Sequence, residues 1–350
     1  MTVEERKPDV MEQKYRYGVI GTGWITEAYI QGAALTGQWE LSAVCSRNAG
    51  RGRALADKYG ARTVVTTPEE LARTDVEAVY VASPNALHTA QSRLLLEQGK
   101  HVICEKPLSA EPEELDALND LARKKRLVYL EAIMMLHLPA RAVLHRALSH
   151  IGRIHTARLD FSQLSSKYPL YLAGKNPNIF NPEFATGCLM DLGIYCIYAA
   201  LDLFGLPDSL EASAGFLPPR GRPASSLPAD GWGSALFRYP DKLVTLTYSK
   251  TGRSRRGSEI IGDEGTLVVD SISQLTGMRL ITPDGMAEEL VGEVSKAELM
   301  SGEARDFARY IREPEHTRAA YDGDTRLASQ VCRILRQMRQ SAGIRFPADK

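Results

Sequence analysis

The sequence predicts a doubly wound α/β domain with a parallel sheet, followed by an α+β domain whose sheet is large, open and mainly antiparallel. Three observations predict it. From Tyr15 to about residue 135, short apolar runs alternate with helical stretches, the rhythm of a parallel sheet covered on both faces. From about residue 150, strand candidates follow one another with few helices between them, which favours antiparallel neighbours. The chain has 350 residues, too many for one ordinary core and about right for two domains.

In the first domain, residues 17–20, 40–45, 64–65, 78–82, 101–104 and 128–130 read as strands. They are nearly continuous in apolar character, as strands buried on both faces should be. Residues 25–35, 51–59, 87–98 and 112–124 read as the helices between them. In the second domain the strand candidates are 154–161, 210–216, 234–239, 243–248, 259–261 and 266–269. Leu243, Thr245 and Thr247 alternate there with Val244, Leu246 and Tyr248, the period of a half-buried strand. Residues 217–230, rich in Pro, Gly and Ser, read as a loop inside this domain. Arg253, Arg255 and Arg256 read as a solvated hairpin tip. The division is a flexible tail at 1–14, a dinucleotide-sized domain at 15–135 and a substrate and oligomerisation domain at 136–350.

Composition narrows the function. Hydrophobic residues make up 44% and charged residues 25%, a globular balance. Lys plus Arg and Asp plus Glu are both 43, so nothing favours a nucleic acid partner. Cys45, Cys104, Cys188, Cys196 and Cys332 are odd in number, scattered and never in a C-x-x-C pair. That argues against a disulfide framework and against zinc, and for a reducing compartment. The first 14 residues are mostly charged and polar and lack the apolar core of a signal peptide. No segment is read as approaching the roughly 20 apolar residues of a membrane span, so the expected location is the cytoplasm. No metal constellation emerges among the seven histidines.

The strongest local signal is Gly21-Thr22-Gly23-Trp24-Ile25-Thr26, which follows the first strand and opens the first helix. The first glycine permits a tight turn, and the second lets the backbone approach a pyrophosphate at the helix N-terminus. This is the fingerprint of a Rossmann domain. Thr26 stands where Gly or Ala is expected, which predicts slightly looser packing of helix on strand. The second strand ends at Cys45-Ser46-Arg47, with no Asp or Glu to accept from a ribose 2′-hydroxyl. Arg47, Arg51 and Arg53 either meet a 2′-phosphate, with Ser46 donating, or are ordinary surface arginines. The first alternative predicts NADP in preference to NAD.

Ser83-Pro-Asn85-Ala-Leu-His88 and Gly99-Lys-His-Val-Ile-Cys-Glu105-Lys106-Pro107 are more specific. With the glycine motif they resemble the glucose–fructose oxidoreductase and inositol dehydrogenase family (Gfo/Idh/MocA). The likeness continues through Glu131-Ala132, Pro139, Gly152-Arg-Ile154, Gly187-Cys-Leu-Met-Asp191-Leu-Gly193-Ile-Tyr195 and Gly262-Asp-Glu-Gly265. The resemblance implies that Lys106 lies beside nicotinamide and substrate, and that Asp191 and Tyr195 supply further catalytic groups. It places Ser83, Asn85, His88 and Glu105 near the cofactor, and it points to a homodimer or tetramer built on the open sheet. Tyr at 195 is similar to the dihydrodiol dehydrogenase-like branch. Leu136 stands where those relatives often carry Arg, so a substrate contact from that Arg does not carry over. Cys188 interrupts a stretch that is usually glycine-rich.

The residues give their own reading of the chemistry. Residues 189–201 are apolar on nearly every face, so this helix is expected to be buried. Asp191 within it needs a partner, and Lys106 is the obvious one. Asp191 and Tyr195, four apart, share one helical face. Gly193 between them costs a helix about 1 kcal/mol relative to Ala, which the close approach of a backbone or a flat ring explains. Oxidising a secondary alcohol needs a group to take the hydroxyl proton; Tyr195 is the candidate, Lys106 its electrostatic support and Asp191 the orienter. His88 is either beside the nicotinamide or satisfied by backbone. Residues 168–184, with four aromatics beside Asn176, Asn178 and Asn181, either line a sugar-sized pocket or form a surface excursion. The leading function is an NAD(P)-dependent oxidoreductase acting on a sugar, polyol or related cyclic alcohol. NAD-dependent glycoside hydrolysis and a non-catalytic dinucleotide-binding sensor or scaffold are the alternatives, and the pairing of Lys106 with Tyr195 argues against the last.

Overall fold

The computed structural model describes residues 14–349; the expected tail at 1–14 lies, apart from Lys14, outside them. The first sheet has six strands: β1 (Tyr15–Ile20), β2 (Trp39–Cys45), β3 (Thr63–Val65), β4 (Ala78–Val81), β5 (His101–Glu105) and β6 (Tyr129–Ala132). Their order is β3-β2-β1-β4-β5-β6, and every pair is parallel. This order reverses direction between β1 and β4, and such a switch point is where open α/β sheets bind ligands. The helices of this unit are α1 (Trp24–Thr36), α2 (Ala49–Tyr59), α3 (Pro68–Ala72), α4 (His88–Glu97) and α5 (Pro112–Lys125). Sequence reasoning misses α3, a five-residue helix too short for periodicity. Its signal was the capping box, in which the Thr67 side chain accepts from Glu70 N and Glu70 returns to Thr67.

The second unit contains α6 (Pro139–Leu148), β7 (Ile154–Ser162), α7 (Tyr168–Leu172), α8 (Ile194–Phe204), β8 (Ser209–Leu217), β9 (Ala229–Arg238), β10 (Leu243–Ser249), β11 (Ser258–Gly262), β12 (Thr266–Ser271), β13 (Thr276–Ile281) and β14 (Ala287–Val291). Two long helices follow, α9 (Lys296–Arg312) and α10 (Pro314–Ala342). The eight strands run in the order β14-β13-β12-β11-β7-β10-β9-β8. All neighbours are antiparallel except β7 and β10, which pair in parallel. Along β9 and β10 burial alternates: Val244, Leu246 and Tyr248 are buried while Trp232, Ser234, Arg238, Leu243 and Thr245 are exposed. One face of the sheet therefore carries the core and the other meets solvent. The outer strands β13 and β14 and the helices α6, α9 and α10 were not anticipated.

The last two helices follow the second sheet in sequence but pack on the first unit. A Cβ on Gly32 of α1 would stand 2.7 Å from the Met300 backbone of α9, so only glycine allows this approach. Trp39 Nε1 donates to Ala304 O at 2.9 Å, and its ring stacks on Phe307 at 5.3 Å. Tyr129 N donates to the Tyr321 hydroxyl of α10 at 2.9 Å. Ala212 N of β8 donates to Ser341 Oγ of α10 at 2.9 Å, so the C-terminal helices also hold the second sheet.

Two expectations change. Thr26 does not loosen the first helix, because it is fully buried and fills the space beside Gly21. One helical segment, Pro182–Phe204, is long and apolar enough by length and composition to cross a membrane, contrary to the reading that none approaches it. Its most apolar window is 83% buried inside the fold, so its apolar faces serve the core between the sheets.

Candidate active site

The turn between β1 and α1 is shaped for a phosphate. Gly21 has φ +110°, and a Cβ there would meet Ala82 O at 2.6 Å. A Cβ on Gly23 would meet nothing within 4 Å, so the space above it is open. Gly23 caps α1 without a side-chain hydrogen bond, which leaves N–H groups of the first turn free for an anion. These features fit a dinucleotide pyrophosphate. Thr22 and Ile25 are half-buried at the same turn, and Trp24 is 70% exposed. Lys296, from the start of α9, holds its Nζ 5.7 Å from the Trp24 ring centroid and 3.1 Å from Met134 Sδ. At the end of β2, Arg47, Arg51 and Arg53 are exposed. Ser46 Oγ donates to Asn48 O at 3.0 Å, and Asn48 Oδ1 caps α2 by accepting from Arg51 N at 3.0 Å.

Beyond β4 the chain turns inward. His88 is fully buried, and its Nδ1 and Nε2 each lie 2.8 Å from a carbonyl, of Pro107 and Ser83 respectively. This is the backbone-held alternative: the neutral ring has one N–H and donates it to one of the two carbonyls, and neither nitrogen is turned toward a cofactor. Burial, helped by the Lys106 charge, holds the imidazole pKa below its ordinary value against the pull of the two carbonyls. Asn85 Nδ2 donates to Ala185 O at 3.0 Å and ties this loop to the second unit. Ser83 Oγ is buried without a partner.

Glu105, Lys106 and Pro107 stand at the carboxyl end of β5, where strand ends face the crevice. The Lys106–Pro107 bond is cis. Tyr80 donates to Glu105 Oε1, and burial raises the Glu105 carboxyl against the pull of Lys106. Lys106 Nζ donates to Asp191 Oδ1 at 2.7 Å and to Asp191 O at 2.8 Å. The expected partnership is therefore made, between the end of β5 and the turn that precedes α8. Asp191 lies in a π turn, Leu189–Gly193, that leads into α8; such turns recur at functional sites. Asp230 of β9 holds that turn by accepting from Leu189 N at 2.6 Å. A Cβ on Gly193 would lie 3.1 Å from Tyr248 Cδ1: the flat ring that the glycine implied is present.

Tyr195 is 9% exposed, and the Lys106 ammonium sits over its ring, 5.1 Å from the centroid. Phe161 packs edge-on to the same ring at 5.4 Å. Burial pushes the Tyr195 phenol above its ordinary range, and the Lys106 charge pulls it back. Burial also works against the Asp191 carboxylate, yet Lys106 and Lys250 hold it well below the usual range. For Lys106 the penalty of burial is outweighed by Asp191, Tyr195 and Glu105, and the ammonium is held charged.

Lys250 was missed by sequence reasoning. Its Nζ lies 2.8 Å from Asp191 Oδ2, and its side chain is 1% exposed. A signal existed: Lys250 continues the inward register of Val244, Leu246 and Tyr248, so a lysine fell on a buried position. Glu303 of α9 was also missed; it is fully buried, and neither carboxylate oxygen has a partner. The aromatics of residues 168–184 are largely spent on structure. Tyr171 and Phe180 form a small cluster with Leu217, and Tyr171 donates to Pro218 O at 2.7 Å. Leu136 is buried. Among the described residues no group of His, Cys, Asp and Glu could hold a metal ion.

A doubly wound nucleotide-binding sheet, a phosphate-shaped glycine turn and a lysine–carboxylate–tyrosine group define a dinucleotide-dependent enzyme. Residues 15–132 match the oxidoreductase family with an NAD-binding Rossmann fold, and residues 140–268 match the GFO/IDH/MocA C-terminal domain. The chain belongs to this family. It is 36% identical to the uncharacterized oxidoreductase YgjR of Escherichia coli over 95% of this chain and 98% of that protein. It is 34% identical to the NADP(+)-dependent scyllo-inositol 2-dehydrogenase IolU of Bacillus subtilis, over 96% and 99%. The crystal structure of KijD10, a 3-ketoreductase from Actinomadura kijaniata in complex with NADP and TDP-benzene, has a TM-score of 0.79 at 26% identity, covering 94% of this chain and 98% of that one.

Proposed function

We propose that this chain is an NADP-preferring dehydrogenase or reductase that moves a hydride between nicotinamide and a secondary alcohol or ketone of a sugar, polyol or related cyclic alcohol. The observation that carries the reading is the Lys106–Asp191 pair at the end of β5, with the Tyr195 ring beneath the Lys106 ammonium. When bound, the nicotinamide supplies or accepts the hydride. The protein's part is the proton. Two of the three Lys106 N–H groups are taken by Asp191, which leaves one for a substrate oxygen. Tyr195 carries the proton between that oxygen and solvent. A phenol held protonated is ready to donate, so carbonyl reduction needs no prior ionisation and alcohol oxidation does. Asp191 orients Lys106 and keeps it charged. His88 acts at one remove, by donating to one of the Ser83 and Pro107 carbonyls and packing against the other.

NADP preference is supported by the absence of an acidic residue at the end of β2, by the exposed Arg47, Arg51 and Arg53, and by the NADP named for the inositol dehydrogenase and the 3-ketoreductase. The solvent-facing side of the second sheet, with Trp232 and Leu243 both more than 40% exposed, supports a homodimer or tetramer built on that face. Five free, buried cysteines accord with a reducing, cytoplasmic setting. We divide the described chain near residue 135 into cofactor and substrate units, with α9 and α10 clasping the first. A screen of sugars and polyols with NADP(+), read at the nicotinamide absorbance, tests the function. Turnover of at least one polyhydroxylated alcohol is expected. Cofactor binding with no reduction by any of them would favour the sensor reading, and hydrolysis of a glycoside without net NADPH would favour the glycosidase.

A further inference from the structure

Lys250 is a buried ammonium that no step above uses. It follows β10, and its Nζ stands 2.8 Å from Asp191 Oδ2. Lys106, at the end of β5, takes the other oxygen at 2.7 Å. One carboxylate therefore bridges two ammonium groups that come from different sheets. The rest of the Lys250 surroundings are weaker. The carbonyls of Ile179 and Gly187 each lie at 3.4 Å, the Phe180 ring centroid lies at 5.4 Å, and Asp230 faces it from β9. Around Asp191 the other charged or titratable groups are Glu105 at the end of β5, Lys106 just beyond it, Tyr195 from α8 and Cys188, which precedes the π turn and faces both Asp191 and Lys250.

We propose that Lys250 is a positioning residue for this reaction: it fixes the Asp191 carboxylate and takes up part of its charge, and so sets how much positive charge the Lys106–Tyr195 pair presents to substrate. The proposal rests on the roles given above to Lys106 and Tyr195. An apolar side chain of similar volume would fill the same space without the desolvation penalty of a buried ammonium, so a purely structural role does not account for a lysine. Lys106 and Asp191 alone sum to zero charge. Lys250 adds a positive charge to that pair near the point where a substrate oxygen becomes anionic during oxidation, and burial raises the Asp230 and Glu105 carboxyls, which favours their uncharged forms. Without it, the full Asp191 charge acts on Lys106 and Tyr195 and raises the proton affinity of both.

Two readouts test this. The first needs no turnover: unfolding of the parent, K250M, D191N and the double variant, without cofactor. Coupled residues give a double variant whose melting temperature is no lower than that of the poorer single variant; losses that add would overturn the pairing. The second is the pH profile of kcat for alcohol oxidation. In K250M the acid limb should move up by about one pH unit, while K250R, which keeps the charge, should hold the limb close to the parent's. A folded K250M whose limb coincides with the parent's would overturn the proposal, because loss of packing alone would lower kcat without moving the limb. If the parent turns over no sugar or polyol, the functional reading fails, and the unfolding cycle still decides whether Lys250 and Asp191 act together.

Discussion

Tyr198 of α8 donates its hydroxyl to Glu131 of β6, and the other oxygen of the same carboxyl accepts from Leu108 N at 3.0 Å. This one buried group joins the helix that carries Tyr195 to the loop that carries Lys106. Burial pushes its pKa up from 4.5 to about 7, against the pull of Tyr198 and Leu108. The folded state therefore binds a proton that the unfolded chain releases between those values. Its contribution to stability is fully present below about pH 4.5 and is lost as pH rises through about 7. The loss is on the order of 3 kcal/mol at most. Glu131→Gln keeps the shape and an acceptor for Leu108. It should flatten the fall in melting temperature between pH 5 and 7.5; a slope equal to the parent's would show that Glu131 is ionised in the fold at acid pH.

Gly193→Ala sets two effects against each other. Alanine favours a helix by about 1 kcal/mol, but its Cβ would stand 2.9 Å from Leu189 Cδ1 and 3.1 Å from the Tyr248 ring. Overpacking in a tight core costs about 1–3 kcal/mol, so steric strain should win. The variant should be less stable in denaturant, and it should lose turnover because the strained turn carries Asp191. A gain in stability with full activity would mean that the π turn relaxes freely.

Arg47→Ala should weaken NADP(H) binding about tenfold or more, the range of a lost charge-assisted contact to phosphate, and leave NAD(H) nearly untouched. Calorimetric titration with both cofactors checks this. Equal losses for the two, or an NAD(H) preference in the parent, would contradict it.

Oligomeric state is open to light scattering. Assembly on the open sheet predicts a mass at least twice the 38.6 kDa of one chain at micromolar concentration. A charged residue in place of Trp232, on the exposed face of β9, should shift the population toward monomer. A parent that is monomeric throughout would remove the sheet face as an interface.

The first sheet was legible because each strand is a compact apolar run and each helix carries its own period. The turn at Gly21 and Gly23 and the pairing of Lys106 with Asp191 were legible for a different reason: a buried charge demands a partner. Short elements were not, since α3 offers five residues and shows itself only through the Thr67–Glu70 cap. Lys250 was overlooked because a lysine after a strand reads as solvated unless the inward register is carried one step further. Asp230 lay in a segment whose Pro and Ser content pointed to a loop, and only the fold brings it to Leu189 N. Nothing local to α9 announces that Gly32 awaits it, for close packing between segments far apart in sequence leaves no mark in either alone.

The central claim is that Tyr195 passes the proton and Lys106 tunes it. The most direct measurement is kcat of Tyr195→Phe on whichever alcohol the screen identifies, with cofactor affinity measured in parallel. Only a hydroxyl is removed, so fold and cofactor binding should survive, and turnover should fall by about 10²–10⁴. Lys106→Ala should cost at least as much, and the double variant should be little worse than the poorer single one, as expected of groups that act as a unit. Near-normal turnover in Tyr195→Phe would contradict the account and leave Lys106 as the proton carrier.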